Sequence, residues 1–144
     1  MGRISSLAEL VAVLLDGIAF YEQAAERALD ARLVDFFLRM AYLKKTIAAS
    51  LTSELAHRGE PAAESGDARS ALRQAYAGLL ATVGGADAPR WIAELEQHEI
   101  LLLYAFRDAC AEDAPERVRA LARQHLPEVH RMHGEMERLK AGYD

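Results

Sequence analysis

The sequence has little of what disulfide bonding, secretion or nucleic-acid binding would require. Only one of its 144 residues is a cysteine, so no internal disulfide can form. No N-terminal segment combines a basic start, an apolar stretch and a small-residue cleavage site, and we therefore expect a protein of the reducing cytoplasm. The 17 basic and 22 acidic residues are interspersed and give a formal charge of −5. This balance disfavours nucleic acids and anionic membranes as partners.

Long apolar runs, strand patterns and common catalytic motifs are also missing. The most apolar stretch, 7–21, contains Glu9 and Asp16, and it is shorter than the roughly 20 residues that span a bilayer. The chain has no glycine-rich phosphate loop, no Ser-His-Asp order and no Cys-x-x-Cys, which argues against nucleotide binding, hydrolase chemistry and redox exchange. Cys110 has no adjacent histidine, lysine or second cysteine, so we expect an unreactive thiol.

Most of the chain instead carries apolar residues at three- and four-residue steps, the pattern typical of amphipathic helices. Serine, aspartate, proline and glycine at the ends of these runs supply caps and stops. The pattern predicts five helices: about 5–29, Asp30 to His57, Asp67 to Val83, Asp87 to about 111, and Glu116 through Leu139. We expect an all-α fold, with residues 1–144 forming one domain.

The connections suggest how these helices pack. The first two helices are joined by two or three residues, so they should be antiparallel neighbours. The connection 58–90 is long and contains the third, shorter helix, as expected of a crossover. We predict an antiparallel four-helix bundle with an additional short crossover helix; the alternative is a non-bundle helical array. The crossover helix has an apolar stripe that either covers the bundle or forms a dimer face: Leu72, Tyr76, Leu79 and Val83.

Two segments match each other, Asp16 to Tyr21 and Glu99 to Tyr104, with an acid five residues before a tyrosine in each. They indicate two related helical hairpins. Both acids have apolar helical neighbours, so both should point toward the core, where they need partners. We expect both tyrosine rings in the core, with their hydroxyls on buried carboxylates.

The polar residues allow two interpretations. An ordinary di-iron site in a four-helix bundle uses four carboxylates and two histidines, and Lys44 and Arg131 occupy positions where such ligands would be needed. A different set could accept one Zn²⁺ or Fe²⁺: Asp16, Glu99, His130 and His133. In the other interpretation the acids are satisfied polar crossings between helices, and Lys44 pairs with one of them in place of a metal.

Several segments in this order resemble a bacterial family of ferritin-like four-helix-bundle proteins of unassigned function, distantly similar to rubrerythrin. The matching segments are Asp16 to Glu26, Gly59 to Gly66, Glu96 to Tyr104 and Gln124 to His133. The resemblance implies the fold and not an activity. Peroxidase activity is not carried over, because the metal positions differ and no cysteine-pair module is present.

We therefore expect a small cytoplasmic ferritin-like bundle without evident catalysis and without a cofactor. It would act as a stress-related or protein-interaction module that self-associates, as a dimer, with no nucleic-acid or membrane partner. The alternative is an iron- or zinc-binding protein, or a di-iron-type oxidoreductase with a non-standard ligand set, built on the four residues above.

Overall fold

The computed structural model describes residues 6–60, 67–85, 87–109, 111 and 116–143. These residues form five helices and no strand, which confirms the all-α class. The helices are α1 (Leu7–Arg27), α2 (Ala31–Arg58), α3 (Asp67–Ala81), α4 (Ala88–Ala109) and α5 (Glu116–Tyr143). Each lies within a few residues of its predicted position. Cys110, most of the predicted crossover loop and the predicted cap before α5 lie outside the described residues.

The helix ends follow the capping chemistry expected from the sequence. The Ser6 hydroxyl accepts a hydrogen bond from the backbone N–H of Glu9 at 3.1 Å, and the Asp30 carboxylate accepts one from Arg32 at 2.9 Å. Gly59 ends α2 in the left-handed region, with φ of 69°. Its backbone N–H donates to the carbonyl of Ala56 at 3.1 Å. Such caps satisfy backbone groups that have no partner within the helix.

The contacts define the order of the helices around the core. α1 packs on α2, α2 on α5, and α5 on α4, while α3 packs on α1 and also contacts α4. α3 runs in the same direction as α1, because Arg73 near its start meets Asp16 and Leu80 near its end meets Arg27. The connection through α3 thus lets α2 and α4 run in the same direction.

The crossover helix covers the core. Its side chains Leu72, Tyr76 and Leu79 are buried, and Val83 packs against the core at its edge. Burial of each large apolar side chain contributes about 1.5–3 kcal/mol. Of the two roles that the sequence left open for this stripe, the structure selects the covering role, so the stripe is not available as a dimer face.

An aromatic cluster connects α1 to α2, α3 and α4. The ring of Phe20 stacks on Tyr76 with centroids 4.7 Å apart and lies edge-on to Tyr21 at 5.1 Å. Trp91 lies 5.7 Å from Phe37 in an edge-to-face arrangement. Its indole N–H donates to the carbonyl of Leu79 at 2.9 Å, so the polar edge of the ring is satisfied within the fold.

None of the helices in the described part of the chain has the length and apolar character needed to cross a membrane.

At the end of the bundle where α2 ends and α5 begins, Glu54 connects these two helices. Its buried carboxylate accepts from Arg58 at 2.8 Å and from Arg117 at 3.0 Å. The hydrogen bond from Arg58 is the main reason that the pKa of Glu54 is lowered, and Arg117 adds to the effect. Because this pKa is lower in the folded state, the stabilisation is complete above the unfolded pKa and is lost as pH falls through the folded one.

We expect Glu54→Gln to lower the free energy of unfolding at about pH 7, and the difference from wild type to shrink at an acidic pH below the lowered folded pKa of Glu54, where the wild-type carboxyl is also protonated. Urea unfolding at the two pH values measures this. Glu116→Gln, at an exposed acid near the same helix end, is the matched control. An equal loss in Glu54→Gln at both pH values would contradict the assignment.

Candidate functional site

Glu99 forms the centre of a polar cluster inside the bundle. The Tyr21 hydroxyl on α1 donates to its Oε1 at 2.7 Å, and Lys44 Nζ on α2 donates to its Oε2 at 3.1 Å. The Lys44 side chain is 1% exposed and that of Glu99 is 11% exposed. The cluster therefore joins three helices through one largely buried ion pair.

Local sequence explains how a lysine reaches this position. Lys44 lies on the core-facing stripe of α2 between Met40 and Ile47, which are both fully buried. Its alkyl chain crosses α1 at Gly17, where an added Cβ would lie 3.2 Å from Lys44 Cδ and 3.3 Å from the Tyr76 hydroxyl. Gly17 therefore leaves the space through which the lysine passes. The ammonium lies 5.7 Å from the centroid of the Tyr21 ring, within range of a cation–π interaction.

The two tyrosines near Glu99 remain neutral phenols. Burial raises the pKa of Tyr21 well above its ordinary value, and the charge of Glu99 raises it further. Burial likewise raises the pKa of Tyr76, with added contributions from the charges of Glu99 and Asp16. The Tyr21 hydroxyl thus stays protonated and donates a hydrogen bond to the carboxylate of Glu99. The cluster is a largely buried network in which one carboxylate accepts hydrogen bonds from an ammonium and a phenol.

Asp16, the second predicted site residue, forms a different contact. Its Oδ2 lies 3.3 Å from Arg73 Nε, and its side chain is mostly buried between α1 and α3. The negative charges of Asp16 and Glu99 both act on Tyr76. The prediction that these two acids point inward is confirmed, and each of them has a basic partner.

The two predicted histidines lie on the surface of α5. His133 lines a small cavity of about 20 Å³ between α4 and α5, together with Glu96 and Glu99. His130 is exposed and does not line this cavity. The structure thus brings Glu99 and His133 to the same space, while Asp16 pairs on the side of α1 that faces α3. Within the described ranges no three histidine, cysteine, aspartate or glutamate side chains are placed to hold a metal ion.

The prediction for Tyr104 is wrong, since its side chain is 53% exposed and lies against Arg107. An α-helix turns about 100° per residue, so an acid and a tyrosine five residues apart point roughly 140° apart. Glu99 faces inward with Leu95 and Leu102, whereas Tyr104 points to a side of α4 that is open to solvent. α1 is covered by both α2 and α3, so Asp16 and Tyr21 are both largely buried despite the same spacing. The matching acid–tyrosine spacing in the two hairpins does not give matching environments.

The sequence did not predict the polar contacts of two residues, Tyr76 and His125. The sequence predicts Tyr76 only as a member of the apolar stripe of α3, whereas its hydroxyl lies beside Gly17 and Lys44. The sequence places His125 in the apolar period of α5. It is indeed buried, but its Nδ1 lies 3.9 Å from Glu128 Oε2, and these atoms have no hydrogen-bond partner within the part of the chain that the structure describes. A histidine within an apolar stripe is the signal that could have found this pair.

A protein-family comparison assigns the chain. The model described as "Domain of unknown function (DUF2383)" matches residues 3–113. The chain belongs to this DUF2383 family. The matched region contains Asp16, Tyr21, Lys44 and Glu99, whereas His130 and His133 lie beyond it. The comparison with curated proteins and that with solved structures found no match.

The ion pair of this DUF2383 chain should be strongly coupled. We expect Lys44→Met to lower the free energy of unfolding by about 3–5 kcal/mol, because it leaves the Glu99 charge buried without a cation. The double variant Lys44→Met/Glu99→Gln removes both charges and keeps an acceptor for Tyr21, so it should regain most of this loss. Urea denaturation followed by Trp91 fluorescence measures the cycle. If the loss of unfolding free energy in the double variant equals the sum of the losses in Lys44→Met and Glu99→Gln alone, the two charges act independently.

Proposed function

We propose that the protein is a cytoplasmic protein-interaction module with a ferritin-like bundle fold, without catalysis of its own, that acts as a dimer. The helix order supports the ferritin-like assignment. Two antiparallel hairpins, α1 with α2 and α4 with α5, are joined by a long connection that makes α2 and α4 run in the same direction. This is the arrangement of four-helix bundles with one crossover.

The polar cluster supports a structural role for the bundle interior. Both carboxylate oxygens of Glu99 accept hydrogen bonds from side chains of the protein itself, those of Tyr21 and Lys44. The Lys44 ammonium supplies the positive charge that a metal ion would supply in such a bundle. This network connects α1, α2 and α4 through groups that are bonded to one another, which favours a structural role for them.

The observation that carries the dimer proposal is an apolar surface on the outside of the α1–α2 hairpin. Leu15 on α1, with Leu38 and Tyr42 on α2, are all at least half exposed, and Tyr42 reaches 70%. The ion pair between Glu22 and Lys45, 2.9 Å long, bridges the two helices on the same side. We call this surface, defined by these five residues, the outer face. Exposed apolar side chains that share one side of a helical hairpin are candidates for an interaction surface.

The charges of the outer face favour a second copy of the chain as its partner. A twofold interface joins the same patch on both copies, so each charged group meets a group from the same set. The outer face carries one acid and one base, both about half exposed. Two copies related by a twofold axis can therefore exchange these partners while the apolar side chains pack between them.

We expect the double variant Leu38→Glu/Tyr42→Glu to be monomeric, because four added charges in a twofold interface repel one another and resist desolvation. Size-exclusion chromatography with light scattering should give two chains per particle for the wild type and one for the variant. Tyr104→Glu, which adds a charge at an exposed tyrosine outside the outer face, is the control and should stay dimeric. A wild type that is monomeric at concentrations up to about 1 mM would refute the dimer.

One observation favours the second candidate function, an iron- or zinc-binding protein or oxidoreductase. Glu96, Glu99 and His133 line the same small cavity, although the described side chains do not converge on one point as metal ligands would. Carboxylate and imidazole are ligands that these metals accept. In the structure Glu96 pairs with Lys140 at 3.1 Å and Glu99 with Lys44 at 3.1 Å. A metal would have to displace both lysines from their carboxylates.

If this candidate function is correct, the protein should retain one or two metal ions per chain after anaerobic loading with Fe²⁺ or Zn²⁺ and desalting. Glu99→Gln should then abolish the bound metal while leaving the helical content unchanged, because an amide is a much weaker ligand than a carboxylate. Elemental analysis and circular dichroism give the two values. Glu137→Gln, at an exposed acid of α5, is the control. Equal metal content in wild type and Glu99→Gln would reject a site at Glu99.

A further inference from the structure

A second, larger cavity lies at the end of the bundle, away from the polar cluster. Its volume is about 230 Å³, and it opens where the α1–α2 join, the α3–α4 turn and the end of α5 meet. Residues from all three segments form its wall: Leu29, Asp30, Leu33, Gly84, Gly85, Ala88, Trp91, Ile92 and Tyr143.

The wall is mostly apolar and contains a tryptophan whose polar atom is already bonded. Because the Trp91 N–H donates to the carbonyl of Leu79, the indole offers the cavity its hydrocarbon and π surface. Leu29 is 99% exposed and stands at the mouth. An exposed leucine beside a tryptophan-lined cavity provides apolar surface both inside and at the entrance.

The size of the cavity limits its ligand. A dry cavity of roughly 150 Å³ lined by apolar side chains is large enough to bind benzene. The cavity here, at about 230 Å³, has additional room for a short substituent on such a ring. It therefore fits one ring with a two- or three-atom substituent, and it is smaller than the cavities of about 300–1,000 Å³ that hold drug-sized molecules.

The charge of the wall indicates the chemistry of the substituent. Asp30 is the only charged side chain among the described residues that line the cavity. The hydrogen bond from Tyr143 is the main reason that its pKa is lowered, so it remains a carboxylate at neutral pH. It accepts from the Arg32 backbone N–H, the Arg32 guanidinium and the Tyr143 hydroxyl. These bonds use three of its roughly four acceptor sites.

Arg32 pairs with Asp30 through one carboxylate oxygen, its Nη2 lying 3.3 Å from Oδ2. Among the described residues, the other oxygen, Oδ1, accepts from the Arg32 backbone N–H, and the free acceptor site lies on this oxygen. The Arg32 guanidinium lies over the Tyr143 ring, 4.5 Å from the centroid, and it lines a separate groove between α2 and α5. Tyr143 thus separates a groove that contains arginines from a cavity that contains one carboxylate. A ligand in the cavity meets the carboxylate and an aromatic face, both of which attract a cation.

We propose that this cavity binds a small organic amine, with a one-ring apolar body against Trp91 and Ile92 and its ammonium group on the free acceptor site of Asp30. This site is independent of the dimer proposed above, because it uses none of the residues of the outer face. It is also distinct from the polar cluster around Glu99, with which it shares no residue.

The chain itself provides the reporter for a test. Trp91 is its only tryptophan, so a change in intrinsic fluorescence reports on this cavity. We expect phenethylamine to give a saturable change with a Kd on the order of 1 mM, a realistic affinity for nine heavy atoms. Phenethyl alcohol, which has the same body without the charge, should bind about tenfold more weakly, and the anion hydrocinnamate should not saturate.

Two variants test the contacts. Asp30→Asn keeps an N-cap for α2, because asparagine caps as well as aspartate, and it should remove the preference for the amine over the alcohol. Asp35→Asn, at an exposed acid that lines the neighbouring groove, should leave this preference unchanged. Ala88→Leu places a larger side chain in the cavity and should abolish binding of both compounds. Circular dichroism checks that each variant is folded.

Equal affinity for the amine and the alcohol in the wild type would overturn the role of Asp30, as would an undiminished preference in Asp30→Asn. No saturable response to phenethylamine up to about 10 mM, in fluorescence and in the NMR signal of the indole N–H, would overturn the site itself. Undiminished binding in a folded Ala88→Leu variant would place the ligand elsewhere.

Discussion

The ion pair between Lys44 and Glu99 is the constraint on which the interior of this bundle depends, because a charge removed from water must be compensated where it lies. Lys44 has almost no contact with solvent, so its ammonium relies on the Glu99 carboxylate and the face of Tyr21. The three groups come from α2, α4 and α1. Their geometry therefore fixes how far each of these helices can slide or rotate relative to the others.

Other features follow from accommodating that pair. Gly17 leaves a gap on α1 for the lysine chain, and Tyr76 on α3 closes the same gap from the other side. The crossover helix is therefore part of the core and not an appendage. Its apolar side chains are used inside the fold, which leaves the outer face of α1 and α2 as the exposed apolar surface that the dimer proposal requires.

The sequence predicted the helices well because their signals are local. The bounds of α1 and α2 follow to within a few residues from the apolar period and from three capping residues, Ser6, Asp30 and Gly59. These signals are readable in the sequence because capping needs only neighbouring atoms. The inward direction of Asp16 also followed from the period. The environment of Tyr104 did not follow from the period, because a tyrosine five residues after an inward acid is buried only where another helix covers that side, as α2 and α3 together cover α1.

The sequence by itself therefore determined the all-α class, the five helices, their caps and the faces on which most side chains lie, since these depend on contacts within one or two turns. The tertiary structure alone decided that Glu99 is the acid that pairs with Lys44, that Asp16 pairs with Arg73, and that α3 covers the core. It also created the cavity at the bundle end. These features depend on the rotation and register of packed helices, which the fit of all their side chains sets together and no single segment encodes.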